Sequence, residues 1–577
     1  MARTGFRFIG CLAFAVGYFA NLCIAQSPIP APPHFAHVVI IIQENRTPDD
    51  LFGGAPVSPS PVCGAFNGFT KYIDLANGGP NNWTGHVGCS FLTEVTDLNT
   101  GGASHSNEDW QGQWDAGAMD GACNSVTSGA TCNALTGPPN SPFVYVKKSV
   151  IQPYIQIANN YGWANYMFQT NEGPSYPAHQ FLFGGTSAPV WPTDTYANYF
   201  IADNVSFLAS GCTDQDSTLH WVDPTGDPTF SYPTPSSLGV SAYECYDRNT
   251  MVTTQAGATG AVTPRKDKLG ANISWKYYAQ VAGVIWDAPE SLPQTCYGLY
   301  KAPAGNPPCS GTEFKHVIFP GTGMGESAPI LTDIANCKLA QISWVTPDEV
   351  WSDHPDFLPS GDRGYPGLGP SWVADIVDAI GQSKINSGGK CDYWKASPTA
   401  IFVVWDDWGG FYDHVPPPAV YRGRVSPPSC TAPNAWGCGY VYGFRVPLLV
   451  VSPYTPAATV SGPLSPGSPF PPPYPPNPCW THDFGSILAF TEQNFYPAGS
   501  TEIAPSPYTY ADGNTLDTVC NGNTAVPMWE FFIGPFRAFT AISAPHPASY
   551  FENYYNTAGS DGTYPKPTGP DNDGDRD

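Results

Sequence analysis

The chain has 577 residues, of which 12% are charged and 14% aromatic, with 63 prolines and 59 glycines. This is too aromatic for a disordered chain and has no collagen-like glycine period, so the composition describes a loop-rich globular protein. A formal net charge of −24 excludes recognition of nucleic acid or of an anionic membrane through a basic surface.

In chain order, residues 1–25 read as a signal peptide. Arg3 and Arg7 precede an uncharged, mostly apolar run from Phe8 to Ala20, and Cys23-Ile24-Ala25 offers small residues for cleavage before Gln26. That run is short for a membrane span, and no later stretch is apolar enough for one. Cys11 and Cys23 would leave with the signal, and 14 of the 16 cysteines would remain. An even number without Cys-x-x-Cys spacing fits structural disulfides in an oxidising compartment. The expected location is therefore extracytoplasmic.

Val38-Val39-Ile40-Ile41-Ile42 is a continuous β-branched run, the pattern of a strand buried on both faces in a parallel sheet. Ala400–Val404 and Val446–Val451 repeat it. Helices are expected from Pro370-Ser371-Trp372, with Trp372, Val373, Ile376, Val377 and Ile380 on one face, and across about Phe484–Asn494. Strands alternating with helices predict an α/β fold around a mostly parallel sheet, with long loop-rich insertions at 53–145 and 210–315. Residues 463–478 carry nine prolines in 16 positions and predict an extended surface insertion. The polar stretch 559–577 predicts a disordered acidic tail, which leaves 26–558 as one catalytic domain.

Polar residues cluster just past two of these strands: Gln43–Phe52 after the first, Trp405–His414 after the second. Ligands of open parallel sheets bind at the carboxyl ends of strands, where Glu44, Asn45, Asp406 and Asp407 would meet. Carboxylates gathered in one place repel, and a divalent cation is the usual remedy. The competing reading has each acid capping a helix or lying in a solvated loop. Adjacent Asp406 and Asp407 suit one ion better than the opposed carboxylates of a glycosidase. Thr47-Pro48-Asp49-Asp50 reads as a helix cap and not as a nucleophile. Gly173-Pro174-Ser175 makes a turn that delivers Ser175 to a helix start, where free N–H groups favour an anion, although a serine there is also a common cap. Neither a Gly-x-Ser-x-Gly elbow nor a His-Glu-x-x-His pair is present, which argues against a hydrolase triad and a zincin.

The segments QENRTPDDLF (43–52), NEGPSYPAHQFLFGGTSAP (171–189), SDHP (352–355), WDDWGGFYDHVPPP (405–418), GFRVPLLVVSPY (443–454) and HDFGSILAFTEQNF (482–495) together resemble the bacterial and fungal phosphoesterase family. That family groups non-specific phospholipases C with certain acid phosphatases, within the alkaline phosphatase superfamily. The resemblance implies a three-layer α/β/α sandwich and a serine or threonine nucleophile that takes the phosphoryl group. By motif match Ser175 is that nucleophile. Glu44, Asn45, Asp406 and Asp407 match the metal ligands, with the Ser175 oxygen completing the set. His105 and His354 match histidines that contact the phosphoryl group, where an imidazolium could neutralise its charge or protonate the leaving alkoxide. His179 and His414 lie inside strong motifs with no role assigned, nor is one assigned to His482. Ala178-His179 stands where family members often carry an asparagine. An all-oxygen ligand set favours Ca²⁺, Mg²⁺ or Mn²⁺, with Zn²⁺ next. The expected substrate is a small-molecule or lipid phosphate ester. A diester of the phospholipase C type is preferred, because a strongly negative protein repels a dianionic monoester. Acid phosphatase is the second reading. A carbohydrate-binding or adhesion protein is a remote third and would not need carboxylates at two buried strand ends.

Overall fold

In the computed structural model of the chain, the described residues are 34–52, 104–114, 150–164, 166–187, 247–254, 260–279, 281–305, 307–319, 328–347, 351–355, 368–413, 442–457 and 482–497, with shorter stretches between them. All belong to the unit Pro32–Asp577. The expected leader, proline-rich insertion and acidic tail lie outside the described residues, as does His414.

The two β-branched runs form the centre of an eight-stranded sheet. In chain order its strands are β1 (His37–Gln43), β2 (Gly162–Ala164), β3 (Trp275–Tyr278), β4 (Val317–Ile318), β5 (Ile342–Val345), β6 (Thr399–Trp405), β7 (Leu448–Val451) and β8 (Thr459–Ser461). Their spatial order is β4-β3-β5-β1-β6-β7-β2-β8. Neighbours pair in parallel except that β7 runs antiparallel to both β6 and β2. The sheet is thus mixed and mostly parallel, as an α/β fold requires. The expected strand Val446–Val451 exists as the shorter β7 but against the predicted direction. Continuous hydrophobicity reports burial on both faces, and all four β7 residues are buried. It says nothing about polarity when the neighbours on each side are equally apolar.

Six helices position the site: α1 (Pro48–Phe52), α2 (Asn107–Trp114), α3 (Gln152–Asn160), α4 (Ser175–Gly184), α5 (Leu368–Gly381) and α6 (Phe484–Phe495). Helix α5 buries the predicted stripe of Trp372, Val373, Ile376, Val377 and Ile380. Helix α6 opens on a capping box in which Ser486 N–H donates to Asp483 Oδ1 at 2.8 Å and Asp483 N–H donates to Ser486 Oγ at 3.0 Å. The box satisfies two amides that the helix start would otherwise strand. Phe402 of β6 packs on Phe490 of α6 with ring centroids 5.2 Å apart. Trp405, three residues along the same pleated strand, packs on Tyr154 of α3 at 5.0 Å. Among the described residues, three disulfides join Cys212–Cys245, Cys296–Cys309 and Cys337–Cys391, in line with the expectation of bonded cysteines. Among the described residues no helix is long and apolar enough to cross a membrane.

Ile40 has no solvent exposure on the strand flanked by β5 and β6. Ile40→Ala should therefore cost about 2–5 kcal/mol, read as a lowered denaturant midpoint at unchanged slope.

Candidate active site

Strands β1 and β6 pair in parallel register from His37 opposite Thr399 to Gln43 opposite Trp405. The next residues on each strand therefore emerge side by side, which is why two motifs more than 350 residues apart share one place. The Asn45 amide donates to Asp406 Oδ1 at 3.0 Å, and the Arg46 amide donates to the Asp407 carbonyl at 3.0 Å. Asn45 adopts a left-handed φ of 60°, a region where asparagine is tolerated best after glycine. Gly409 crosses directly over it. A Cβ there would stand 2.6 Å from the Asn45 carbonyl oxygen, so the first glycine of the Trp-Gly-Gly motif is a packing requirement.

Ser175 is the first residue of α4, but it does not cap the helix. The cap position is Pro174, and the Ser175 hydroxyl turns inward, 3.2 Å from Glu44 Oε2 and 3.1 Å from Asp407 Oδ2. Gly173 permits the approach, since a Cβ there would come within 1.9 Å of the Ala202 carbonyl oxygen. One turn further along α4, His179 Nε2 lies 3.3 Å from Glu44 Oε1 and 3.7 Å from Asp406 Oδ2. Its Nδ1 is 3.1 Å from the Tyr277 hydroxyl on β3. Ligand atoms of Glu44, His179 and Asp406 all fall within 4.8 Å of one another.

Glu44, Asp406 and Asp407 are fully buried, and their charges cannot all persist there unaided. Burial, then the nearby aspartates, pushes the Glu44 carboxyl well above its ordinary range. Burial, then Asp406, does the same to Asp407. Burial opposes ionisation of Asp406 too, but the neighbouring His179 and Glu44 overrule it and bring Asp406 to about 2. Asn45 Oδ1 and Asp406 Oδ2 are buried and have no hydrogen-bond partner among the described residues. Stranded oxygens beside carboxyls that resist ionisation are what a cation would satisfy, so the residues present fit a divalent ion.

His105 Nε2 lies 3.0 Å from the Asn45 side-chain nitrogen. The amide donates there, which aims Asn45 Oδ1 the other way. His105 precedes α2, whose start is locked by reciprocal bonds: Ser106 N–H to Asp109 Oδ2 at 3.1 Å and Asp109 N–H to Ser106 Oγ at 3.2 Å. Its ring is 5.8 Å from that of His354. His354 Nδ1 donates to the Pro355 carbonyl at 3.0 Å, leaving Nε2 as the acceptor of the neutral ring. Burial, helped by His105, lowers His354 to about 3, so this imidazole is neutral in the free site. That revises the expectation of an imidazolium at this position.

Among the described residues, the two arginines of the strand-end motifs and of the segment before β7 are struts. Arg46 is buried, donates to the Asp353 carbonyl and to Asp50 Oδ2 at 3.1 Å, and lies over the Phe411 ring at 4.6 Å. Arg445 is buried against Asp413 at 2.8 Å and Asp49 at 3.2 Å. Thr47 caps α1 as predicted: its hydroxyl accepts from the Asp50 amide at 3.1 Å and donates to the Tyr412 carbonyl at 2.9 Å. His482 lies apart from this cluster, 2.6 Å from Ser461 Oγ.

A family model described as the phosphoesterase family matches residues 35–496, a span that begins just before β1 and ends just past α6. The chain belongs to the phosphoesterase family. Among curated phosphoesterases it is 23% identical, over 84% of its own length, to a non-hemolytic phospholipase C of Pseudomonas aeruginosa, and covers 57% of that protein. It is 30% identical to a non-hemolytic phospholipase C of Burkholderia pseudomallei over 30% of the chain and 22% of that protein. Phospholipase C B of Mycobacterium tuberculosis is 36% identical over 21% of the chain and 22% of its own length. The chain thus spans between about a fifth and somewhat over half the length of these relatives.

Every residue predicted for this phosphoesterase site is brought into one cluster. Two residues in it were given no role from sequence: His179, four positions after Ser175 and so on the same helix face, and Tyr277, which lies in none of the motifs. Asp353, beside His354, is buried with Oδ2 accepting from Tyr154 at 2.8 Å and from Trp405 Nε1 at 3.0 Å. Burial raises its carboxyl from 3.8 to about 7. The folded state then holds a proton that the unfolded state has released, so between those values this group makes stability fall as pH rises, by up to ~1.4 kcal/mol per pH unit. Thermal melts of the metal-free protein from pH 4 to 7 should show a shallower decline in Asp353→Asn than in the wild type.

Proposed function

We propose that the protein is a secreted, metal-dependent phosphoric ester hydrolase of the phospholipase C type, with Ser175 as nucleophile. The observation that carries this is the Ser175 hydroxyl, buried at a helix start and held between two carboxylates, 3.2 Å from Glu44 and 3.1 Å from Asp407. A structural serine at that position caps its helix; this one faces the acids. Glu44, Asn45, Asp406 and Asp407 would hold a divalent cation that lowers the pKa of the Ser175 hydroxyl and shields the phosphoryl oxygens.

The remaining chemistry belongs to the chain. The start of α4 sets Ser175 Oγ for in-line attack on the phosphoryl group. As the Ser175 Oγ–P bond forms and the bond to the leaving alcohol breaks, the hydroxyl proton passes to Glu44 or Asp407, which a bound cation would hold ionised, and goes on to the departing alkoxide. Neutral His354, with Nδ1 tied to Pro355, presents Nε2 to accept a proton from the water that later cleaves the phosphoserine. His105 holds the Asn45 amide and completes the phosphoryl-facing side.

The diester preference rests on charge. Arg46 and Arg445 are both buried and engaged, so neither is available to meet a dianionic phosphate. A zwitterionic phosphodiester head group carries no such penalty at a net charge of −24. The three relatives named above are phospholipases C. A leader at 1–25 and the paired cysteines support export, with 26–558 as the catalytic domain. A carbohydrate-binding or adhesion role leaves the buried carboxyl cluster without a purpose.

Ser175→Ala should abolish hydrolysis of p-nitrophenylphosphorylcholine, whereas Thr47→Ala should keep turnover and lose about 0.5–2 kcal/mol of stability. An active Ser175→Ala beside an inactive Thr47→Ala reverses the assignment. Comparing kcat/KM for p-nitrophenyl phosphate and p-nitrophenylphosphorylcholine from pH 4 to 8 tests the substrate. The diester should be preferred, and a monoester preference at every pH would make the protein an acid phosphatase of the same family.

A further inference from the structure

We infer that His179 Nε2 is a nitrogen ligand of the cation site, that Tyr277 is its positioning residue, and that this nitrogen makes the site select a transition-metal dication over Mg²⁺ or Ca²⁺. The inference deepens the proposed function and rests on its reading of the acidic cluster as a metal site.

The hydrogen-bond chain behind the ring fixes its tautomer. A main-chain carbonyl can only accept, so the Tyr277 hydroxyl spends its one proton on the Trp286 carbonyl, 2.7 Å away. Toward His179 the same oxygen offers only a lone pair, and Nδ1, 3.1 Å off, must therefore carry the ring proton. The neutral ring then aims the Nε2 lone pair at Glu44 Oε1, 3.3 Å away, and at Asp406 Oδ2, 3.7 Å away. Three ligand atoms converge within 4.8 Å of one another, and Asp406 Oδ2 has no hydrogen-bond partner among the described residues. This is the arrangement of a ligating imidazole whose far N–H is held by an oriented acceptor.

Each part of the chain is rigid. His179, Tyr277 and Trp286 are buried to within about 1% of full coverage. Tyr277 stands on β3, whose parallel pairing with β5 sets Tyr277 opposite Trp344. His179 is one turn from Ser175, so a single helix face delivers both the hydroxyl and the imidazole. The sequence motifs alone assemble an all-oxygen set of Glu44, Asn45, Ser175, Asp406 and Asp407, the set of a hard ion. An imidazole among carboxylates moves the preference toward Mn²⁺ or Zn²⁺, ions that accept nitrogen and oxygen together.

The test uses the full-length protein stripped of metal and reloaded with Mn²⁺. Pulsed electron paramagnetic resonance should show ¹⁴N modulation from a bound imidazole, replaced by ¹⁵N frequencies when the protein is grown on ¹⁵N-histidine. The modulation should vanish in His179→Gln and persist in His105→Gln. Equilibrium competition should give tighter binding of Mn²⁺ than of Mg²⁺, with the ratio reduced in His179→Gln. Tyr277→Phe, which removes the lone-pair oxygen but keeps the ring, should weaken Mn²⁺ binding about 10–100-fold while retaining ¹⁴N modulation. Mn²⁺ bound at the site without nitrogen modulation, or modulation surviving His179→Gln, overturns the inference and leaves the metal site standing. A wild-type protein that takes up no Mn²⁺, Zn²⁺ or Mg²⁺ overturns both. The isotope experiment needs no variant, so it still decides the matter if His179→Gln misfolds.

Discussion

Two buried strands in parallel register end at the same level, and each is followed at once by carboxylic acids. Most of the site's architecture follows from that constraint. Because Gln43 stands opposite Trp405, Glu44 and Asp406 have no choice but to leave the sheet together, inside a region with no solvent exposure. Like charges at such separations repel by several kcal/mol even at an intermediate effective dielectric of about 20. The fold meets this by letting Glu44 and Asp407 resist ionisation and by directing backbone amides at the remaining charge. It also tethers the flanking loops with two buried arginines, Arg46 to Asp50 and Asp353, and Arg445 to Asp49 and Asp413. Neither arginine faces the acids. Each holds the backbone that aims them, so the cluster stays negative and receptive to a cation.

What could be read from sequence was what is written in contiguous residues. Val38–Ile42 and Ala400–Val404 declare buried strands because five apolar residues in a row fit nowhere else in a short element. The acids that follow suggest a site because two such clusters, each just past a buried strand, are harder to explain as separate caps or solvated loops than one acid would be. The Thr47 cap and the α5 stripe were legible for the same reason. Strands β3 and β4 were not: Trp-Lys-Tyr-Tyr and Val-Ile are too short to establish a period, and their place in the sheet is decided by long-range pairing. The polarity of β7 escaped because hydrophobicity measures burial alone. Of Ser175, sequence allowed both a nucleophile and a cap, since the first helical turn suits either. The structure adds that the cap position is Pro174 and that the hydroxyl faces the acids.

His179 marks the limit in another way. Its spacing from Ser175 was visible, and the i, i+4 rule would have put both on one face. What sequence did not contain was the partner that gives the ring its orientation. Tyr277 sits about a hundred residues away on a strand with no motif, and reaches His179 because β3 lies two strands from β1 across β5. A histidine becomes a ligand through the atom behind it as much as through the metal before it, and atoms behind a ligand come from the sheet order and not from the motif.

The same logic bears on substrate charge. A site that gathers three carboxyls and ties the two arginines described beside it into its scaffold would have its positive charge supplied by whatever cation it held. One divalent ion, set against carboxyls of which two already resist ionisation, leaves little surplus to bind a dianion. It would leave enough for the single charge of a phosphodiester, the substrate class proposed, whose second esterified oxygen is neutral. On the proposed reading, burying the arginines would tune more than stability: it would take away groups that could otherwise let a phosphomonoester compete at neutral pH.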